Sequence, residues 1–317
     1  MSLKRFFQRN KLIYYIKNVF LDLLPRAIYR KHLGYWLNQQ NKYPKKLIEE
    51  RLYYYSKITP NTPILNDAIQ LKNFRKNGNK SMYYYDLIRT AKYFDPTFKF
   101  NYLFGDVDIN LDRPTFVKSR PIHDNENSVL LRLNGLRHFN FINDKKSFRD
   151  KKNEIVWRGV IHKENRRLLF EKHFGKQKFN IGSSKKKNSK ESWIKPFLTI
   201  DEQLDYKFIL SIEGNDVATN LKWIMSSNSL CFMPKPKFET WFMEGKLIEN
   251  YHYVLIKDDY SDLEEKMEFY STNETESEKI VRNAQHWVQQ FQDKKLEKTL
   301  SILTIHNYLQ NTKQQQE

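Results

Sequence analysis

The sequence predicts an α/β protein whose second half is a parallel β-sheet with helices on both faces. Three observations carry this. From residue 151 onward, short apolar runs alternate with amphipathic runs at the spacing of strand–helix–strand units. Glycines follow two of the apolar runs, at Gly159 and Gly214, where strands of such sheets turn toward helices. The chain has 317 residues, 39% hydrophobic and 15% aromatic, enough for a sizeable core and too many for one small one.

Taken in order, residues 1–33 are basic and amphipathic. Lys4, Arg5, Arg9, Lys11, Lys17, Arg26, Arg30 and Lys31 interleave with Phe6, Phe7, Leu12, Ile13, Ile16, Phe20 and Leu23. Such a segment either lies on an anionic bilayer or packs its apolar face on the body with its cations in water. Lys17 and Asp22 interrupt "KLIYYIKNVFLDLLP", and no small-residue cleavage site follows, so it does not read as a signal peptide. No stretch reaches the roughly 18 apolar residues of a spanning helix. The expectation is a soluble or peripheral protein in the cytoplasm.

Residues 45–95 read as tyrosine-rich helices, "RLYYYSKI" and "SMYYYDLIRTAKYF". Their rings either stack on sugars or bases or sit half-buried with wet hydroxyls. From residue 102, "YLFGDVDI", "TFVKSRPI", "SVLLRL" and "FNFI" read as short strands between turns. After 151, "EIVWRG", "KFNIG", "FILSIEG", "SLCFMP" and "HYVLIK" are expected strands. "RRLLFEKHF", "VATNLKWIMSSN", "TWFMEGKLI", "SDLEEKMEFY" and "ESEKIVRNAQHWVQQF" are expected helices. The expected parts are an N-terminal domain over 1–150, a second domain over 151–295, and a C-terminal helix with a frayed tail over 296–317. "SSKKKNSK" reads as an exposed loop.

The net charge is +18. That excess concentrates anionic partners, whether nucleic acid, an anionic membrane or phosphorylated substrates, unless it is simply a solvated lysine-rich surface. One cysteine, Cys231, lies in the apolar run Ser229–Met233. It excludes an intrachain disulfide and a cysteine metal site, fits a reducing compartment, and reads as core packing.

Two expected strand ends have the character of phosphate sites. In "EIVWRGVIHKENRRLLF" the strand ends at Arg158-Gly159, and Arg166 and Arg167 open the following helix, doubling the positive end a helix already has. In "FILSIEGNDVATNLKW" the strand ends at Glu213-Gly214, and Asn215 or Asp216 can cap a helix starting near Val217. Gly214 permits close approach to the backbone. Neither stretch matches the dinucleotide or P-loop glycine patterns.

In order along the chain come "DRP", "KSRPI", "VWRG" followed by Arg166, "YKFILSIEGNDVATNLKWIMSSNSLCFMP", "FETWFMEG" and "HYVLIKDDYSDLEEK". Over residues 85–295 this set resembles glycosyltransferase family 90, which holds capsule-associated proteins and eukaryotic protein O-glucosyltransferases. The likeness is nearest to its bacterial lipopolysaccharide core transferases. The resemblance implies a GT-B fold, two Rossmann-like domains facing across a cleft, with the C-terminal one holding a UDP-sugar. It further implies inversion at the sugar carbon and no essential metal.

By resemblance, Arg158, Gly159, Val160 and Arg166 contact the nucleotide-sugar. Arg166 would neutralise the diphosphate as charge develops on the leaving group. The glycine loop corresponds to Gly214, Asn215, Asp216, Val217, Ala218, Thr219 and Asn220. Ala218 and Asn220 stand where relatives carry Ser and Arg, and Lys222 is the candidate substitute cation. Of Glu239 and Glu244 in "FETWFMEG", one is a candidate ribose ligand.

Inverting transfer needs a carboxylate to take the acceptor hydroxyl's proton. In the relatives this base is the Asp of an Asp-x-Pro motif, which here is Asp112, with Asp106 as the alternative. Asp106 and Asp108 also spell an Asp-x-Asp pattern, a short match that lies outside the expected nucleotide domain. Lys118 and Arg120 are candidate ligands for acceptor phosphates, or simply pair with the nearby acids. His123, His138 and His162 lack metal-ligand spacing, and no metal site is assigned. The reading is therefore a glycosyltransferase moving a sugar from a UDP-sugar to a hydroxyl of a lipopolysaccharide, lipooligosaccharide or capsule-type acceptor, with peripheral contact to the membrane's inner face. A non-catalytic scaffold of the same fold and a basic nucleic-acid-binding protein are the alternatives.

Overall fold

The computed structural model describes residues 11–64, 67–78, 80–185 and 189–314. Lys4, Arg5, Phe6, Phe7 and Arg9 lie outside the described residues, as do 186–188 of the lysine-rich loop and 315–317 of the tail. The chain divides into two compact units. The first comprises Met1–Phe139, Phe238–Met243 and Asp293–Glu317; the second comprises Asn140–Lys237 and Glu244–Gln292. The sequence reading placed the divisions at 150 and 295 and did not anticipate the short return at 238–243.

The first unit opens with helix α1 (Lys11–Leu23) and continues through α2 (Lys45–Tyr55) and α3 (Ser81–Ala91). Helix α1 lies on α3 by its polar side. Tyr14 donates to the Asp86 carboxylate at 2.8 Å, and the hydroxyls of Tyr15 and Ser81 meet at 2.9 Å. Asp22 pairs with Lys92 at 2.9 Å, and Lys92 also donates to the Asp22 carbonyl, so a cation sits on the last carbonyls of α1. The tyrosines of "SMYYYDL" are buried, as half of the sequence reading allowed.

Strands β1 (Lys99–Leu103), β2 (Thr115–Val117) and β3 (Ser128–Leu130) form a small parallel sheet, with Ile69–Gln70 antiparallel at its edge. A second short pairing joins Ser119–Pro121 antiparallel to Phe238–Thr240. The "TWFMEGKLI" segment, expected as a helix, instead supplies the end of that strand and a turn. Met243 has φ 58, which stops any regular element, and a 3-10 turn, Glu244–Lys246, follows.

The second unit is the predicted α/β layer. Strands β4 (Lys152–Gly159), β5 (Phe179–Ser183), β6 (Tyr206–Leu210), β7 (Leu230–Met233) and β8 (Val254–Leu255) form one sheet in the order β8-β7-β6-β4-β5, parallel throughout. All five residues of β6 and all four of β7 are buried, as strands covered on both faces must be. Helix α4 (Glu164–His173) carries the chain from β4 to β5, and α5 (Leu221–Met225) from β6 to β7. Helices α6 (Leu263–Thr272) and α7 (Glu274–Gln289) complete the unit. Ile155, Phe208, Leu210, Phe232 and Val254 from the sheet meet Leu169, Phe170, Leu263 and Ile280 from the helices in one core. Cys231 of β7 is also buried, and burial pushes its thiol well up, which leaves it inert.

The last helix, α8 (Lys294–Asn311), returns to the first unit. It starts on Asp293, whose carboxylate accepts the backbone N–H groups of Lys295 and Leu296. Its Glu297 accepts from Arg51 of α2 at 2.7 Å and from the Trp241 ring nitrogen at 2.6 Å. Tyr55 stacks on Trp241 with centroids 3.6 Å apart. No helix among the described residues is long and apolar enough to cross a membrane.

Candidate functional site

The two phosphate-like strand ends of the second unit come together. Strand β4 and strand β6 are neighbours, so Gly159–Val160 and Ile212–Gly214 lie at the same carboxyl edge of the sheet. Arg166, in the first turn of α4, reaches across both. Its guanidinium donates to the carbonyls of Val160 at 3.0 Å, Ile212 at 2.8 Å and Glu213 at 3.1 Å. It lies over the Trp157 ring, 5.6 Å from the centroid. Burial lowers its pKa to about 10, so it stays cationic at neutral pH. Its partners are carbonyls and the His162 ring rather than a carboxylate, so its charge remains at the sheet edge.

Both glycines have close neighbours on the side a Cβ would occupy. A Cβ on Gly159 would lie 2.5 Å from the Trp157 ring. A Cβ on Gly214 would lie 3.0 Å from both the Arg166 guanidinium and the His162 ring. A side chain at 214 would thus cover the cation. His162, which has no metal-ligand spacing, is exposed and holds its Nδ1 3.1 Å from the Val160 carbonyl. No spacing marks it; only the turn after β4 brings it beside Gly214.

Several expected ligands are committed elsewhere. Arg158 donates to the carbonyls of Pro196, Trp157 and Asn180 and to the Asn180 side chain, so it braces the sheet. Lys222 is fully buried and paired with buried Glu244, so each charge is met inside the fold. Asn220 donates to the Leu210 carbonyl and accepts from Ser211, tying its loop to β6. Helix α5 begins at Leu221 rather than near Val217, and neither Asn215 nor Asp216 caps it. Asp216, Val217 and Ala218 are buried in the turn, where the Gly214 N–H donates to the Asp216 carbonyl at 3.0 Å. Asn215 is exposed and Thr219 half-exposed.

The candidate carboxylates lie in the first unit. Asp106 follows β1 immediately after Gly105, whose φ of 118 is open to glycine and strained for other residues. Buried Lys118 donates to the Asp106 carboxylate at 2.8 Å, and a third of the Asp106 side chain stays in contact with solvent. Asp112 differs. It is 76% exposed, its carboxylate accepts two hydrogen bonds from Arg113, and that contact holds its pKa below the usual carboxylate range. Arg120 and Glu239 follow the other reading open to Arg120, a pairing with a nearby acid. Both are buried and pair with each other at 2.8 Å, and Arg120 also donates to the carbonyls of Tyr54 and Ser128. Arg120 is therefore unavailable to an acceptor phosphate, and Glu239 to a ribose. Among the described residues, no group of three or more His, Cys, Asp or Glu is arranged to hold a metal ion.

The profile of Glycosyl transferase family 90 matches residues 133–315. An O-glucosyltransferase LpsA of Dichelobacter nodosus is 40% identical over 306 residues, covering 95% of this chain and 96% of the relative. The chain belongs to glycosyl transferase family 90. A second relative, the uncharacterized protein 179R of Invertebrate iridescent virus 6, is 32% identical over 122 residues, covering 36% of this chain and 9% of the viral protein. As a member of that family, the protein is a glycosyltransferase with a sugar donor and an acceptor. The profile takes in β4, Arg166 and the Gly214 loop of this transferase and begins after Asp106 and Asp112.

Proposed function

We propose that the transferase moves a hexose, with glucose as the first candidate, from a UDP-sugar to a hydroxyl of a lipopolysaccharide, lipooligosaccharide or capsule-type acceptor, with inversion at C1. The observation that carries the donor side is Arg166, a cation that pairs with no carboxylate among the described residues. It lies at the carboxyl edge of a parallel sheet beside Gly214, where a Cβ would come within 3.0 Å of its guanidinium. A diphosphate leaving group needs its growing charge neutralised at such a point. Glucose is favoured by the Dichelobacter relative, which is named an O-glucosyltransferase. The GT-B reading belongs to the same proposal, supported by a parallel sheet in each unit.

Asp106 is the base in this proposal rather than Asp112. A general base must be held in place and must be basic enough to accept a proton. Lys118 fixes Asp106 at a strand end, whereas Asp112 is exposed and both of its carboxylate oxygens are taken by Arg113. Asp106 takes the acceptor hydroxyl's proton, the acceptor oxygen bonds to C1, and the C1–O bond to the diphosphate breaks. Metal-independence is part of the proposal, with Arg166 supplying the charge.

The test combines ligand-induced stabilisation with kinetics. UDP and UDP-glucose near 100 times their Kd should add about 2.7 kcal/mol of stability and raise Tm by ~5 °C. Arg166→Ala should abolish that ligand-induced shift, whatever its own Tm. Asp106→Asn should lower kcat about 10²- to 10⁴-fold, while Asp112→Asn stays within a few-fold. No shift with any nucleotide would overturn the donor assignment. A larger loss in Asp112→Asn would return the base to Asp112.

A further inference from the structure

Helix α1 sits the wrong way round for a surface helix of a globular protein. Such helices bury their apolar stripe and leave the polar face in water. Here Tyr14, Tyr15 and Asp22 face the body, through the hydrogen bonds to α3 and the Lys92 ion pair, and Asn18 beside them is buried. Leu12, Ile16, Val19, Phe20 and Leu23 are 65%, 61%, 42%, 65% and 78% exposed. At 3.6 residues per turn these five positions fall within an arc of about 100°, one continuous apolar stripe along the helix. The next helix, Arg26–Lys31, adds Ile28 at 46% exposure.

We infer that this stripe is a membrane-docking surface and that its partner is a bilayer bearing anionic lipid. Charge selects the partner. Residues 11–33 carry Lys11, Lys17, Arg26, Arg30 and Lys31 against a single acid, Asp22, whose carboxylate is taken by Lys92 and Tyr84. Arg26 donates to the Leu71 carbonyl, and Arg30 lies 3.9 Å from Asp95. Lys11, Lys17 and Lys31 are exposed. An apolar stripe bordered by lysines suits the headgroup–acyl boundary of an anionic membrane, with the helix in the plane of the interface. A second copy docking stripe to stripe would instead bring the same cations together. Residues 1–10 would add Lys4, Arg5 and Arg9 with no acid. The inference deepens the glycolipid-acceptor reading above and rests on it only for its purpose, because vesicle binding is measured without donor or acceptor.

The test is co-sedimentation of the full chain with phosphatidylcholine vesicles containing or lacking phosphatidylglycerol. Binding should require the anionic lipid and fall with salt. Ile16→Glu with Phe20→Glu should weaken it about 100-fold or more without changing the protein's Tm, because both side chains are already in water. Lys17→Glu with Lys31→Glu should weaken it about tenfold or more on anionic vesicles alone. Cys231 is buried, so a fluorophore on Phe20→Cys labels one site, and its emission should shift to the blue on anionic vesicles. Full binding by the Ile16/Phe20 variant would overturn the inference. So would wild-type binding only after removal of residues 1–10, which would mean that segment covers the stripe. Concentration-dependent self-association that the Ile16/Phe20 variant loses, without vesicle binding in either protein, would assign the stripe to a second copy.

Discussion

Lys222 and Glu244 meet with neither side chain in water. Their attraction offsets the desolvation of both charges, and removing either one leaves the other buried without that counter-charge. Lys222→Ala or Glu244→Ala should each cost about 3–5 kcal/mol in denaturant unfolding, and Lys222→Met with Glu244→Leu should recover most of that. A single substitution costing under 1 kcal/mol would show that the pair is solvated. The prediction marks how far single residues are legible. Arg166 with Gly214 could be read because each stands in a local strand-end motif, and the sheet order joins the two motifs. Arg120 and Lys222 could not be read as buried. Arg120 finds Glu239 across 119 positions, and Lys222 finds Glu244 across 22. A sequence shows a cation without showing whether water reaches it. Asp106 lay in the same position: its three-residue pattern said little, and the contact with Lys118 gave it weight.

Elements were legible where period and burial agree. The five strands of the second unit are short apolar runs because both of their faces are covered, and they were found for that reason. "TWFMEGKLI" was misread because Trp241, Phe242 and Met243 are buried in a non-helical turn, and a run of buried residues has no period. Helix α1 was legible as amphipathic, but its period could not say which face meets the body. The turn Ile248–His252 carries its own prediction. The His252 N–H donates to the Ile248 carbonyl at 2.9 Å, and its Nδ1 accepts the Ile248 N–H at 2.9 Å. Burial first, then the neighbouring His286, pushes the His252 pKa from 6.5 down to about 4. The unfolded chain therefore takes up the proton at a higher pH than the folded one. The contribution is full above pH 6.5, falls between 6.5 and 4, and changes no further below 4. Unfolding free energy should drop by about 1–3 kcal/mol more across that window in the wild type than in His252→Gln. Equal pH slopes for the two proteins would remove the role of this turn.

At the scale of the molecule, composition and alternation gave the α/β class and the content of the second unit. The boundaries were not legible, because composition changes near 150 whereas compactness follows contacts. The first unit is completed by Phe238–Met243 and by α8, which come from far along the chain. Those late pieces hold the partners of its buried charges: Glu239 for Arg120, Glu297 for Arg51, and the Trp241 ring on Tyr55. A fragment of residues 1–150, cut where the sequence suggests, keeps both arginines and loses both glutamates. Placing two guanidinium groups in a core without counter-charge costs several kcal/mol each, comparable to the whole stability of a domain. The fragment should therefore melt without a cooperative transition and show no dispersed amide spectrum, while the full chain shows both. Adding Arg51→Met and Arg120→Met to the fragment removes the buried charges but not the missing strand, the ring stack or α8, so it should stay unfolded. A cooperative melt of the unmodified fragment would mean that residues 1–150 form a core of their own, with the glutamates of 239 and 297 dispensable to it.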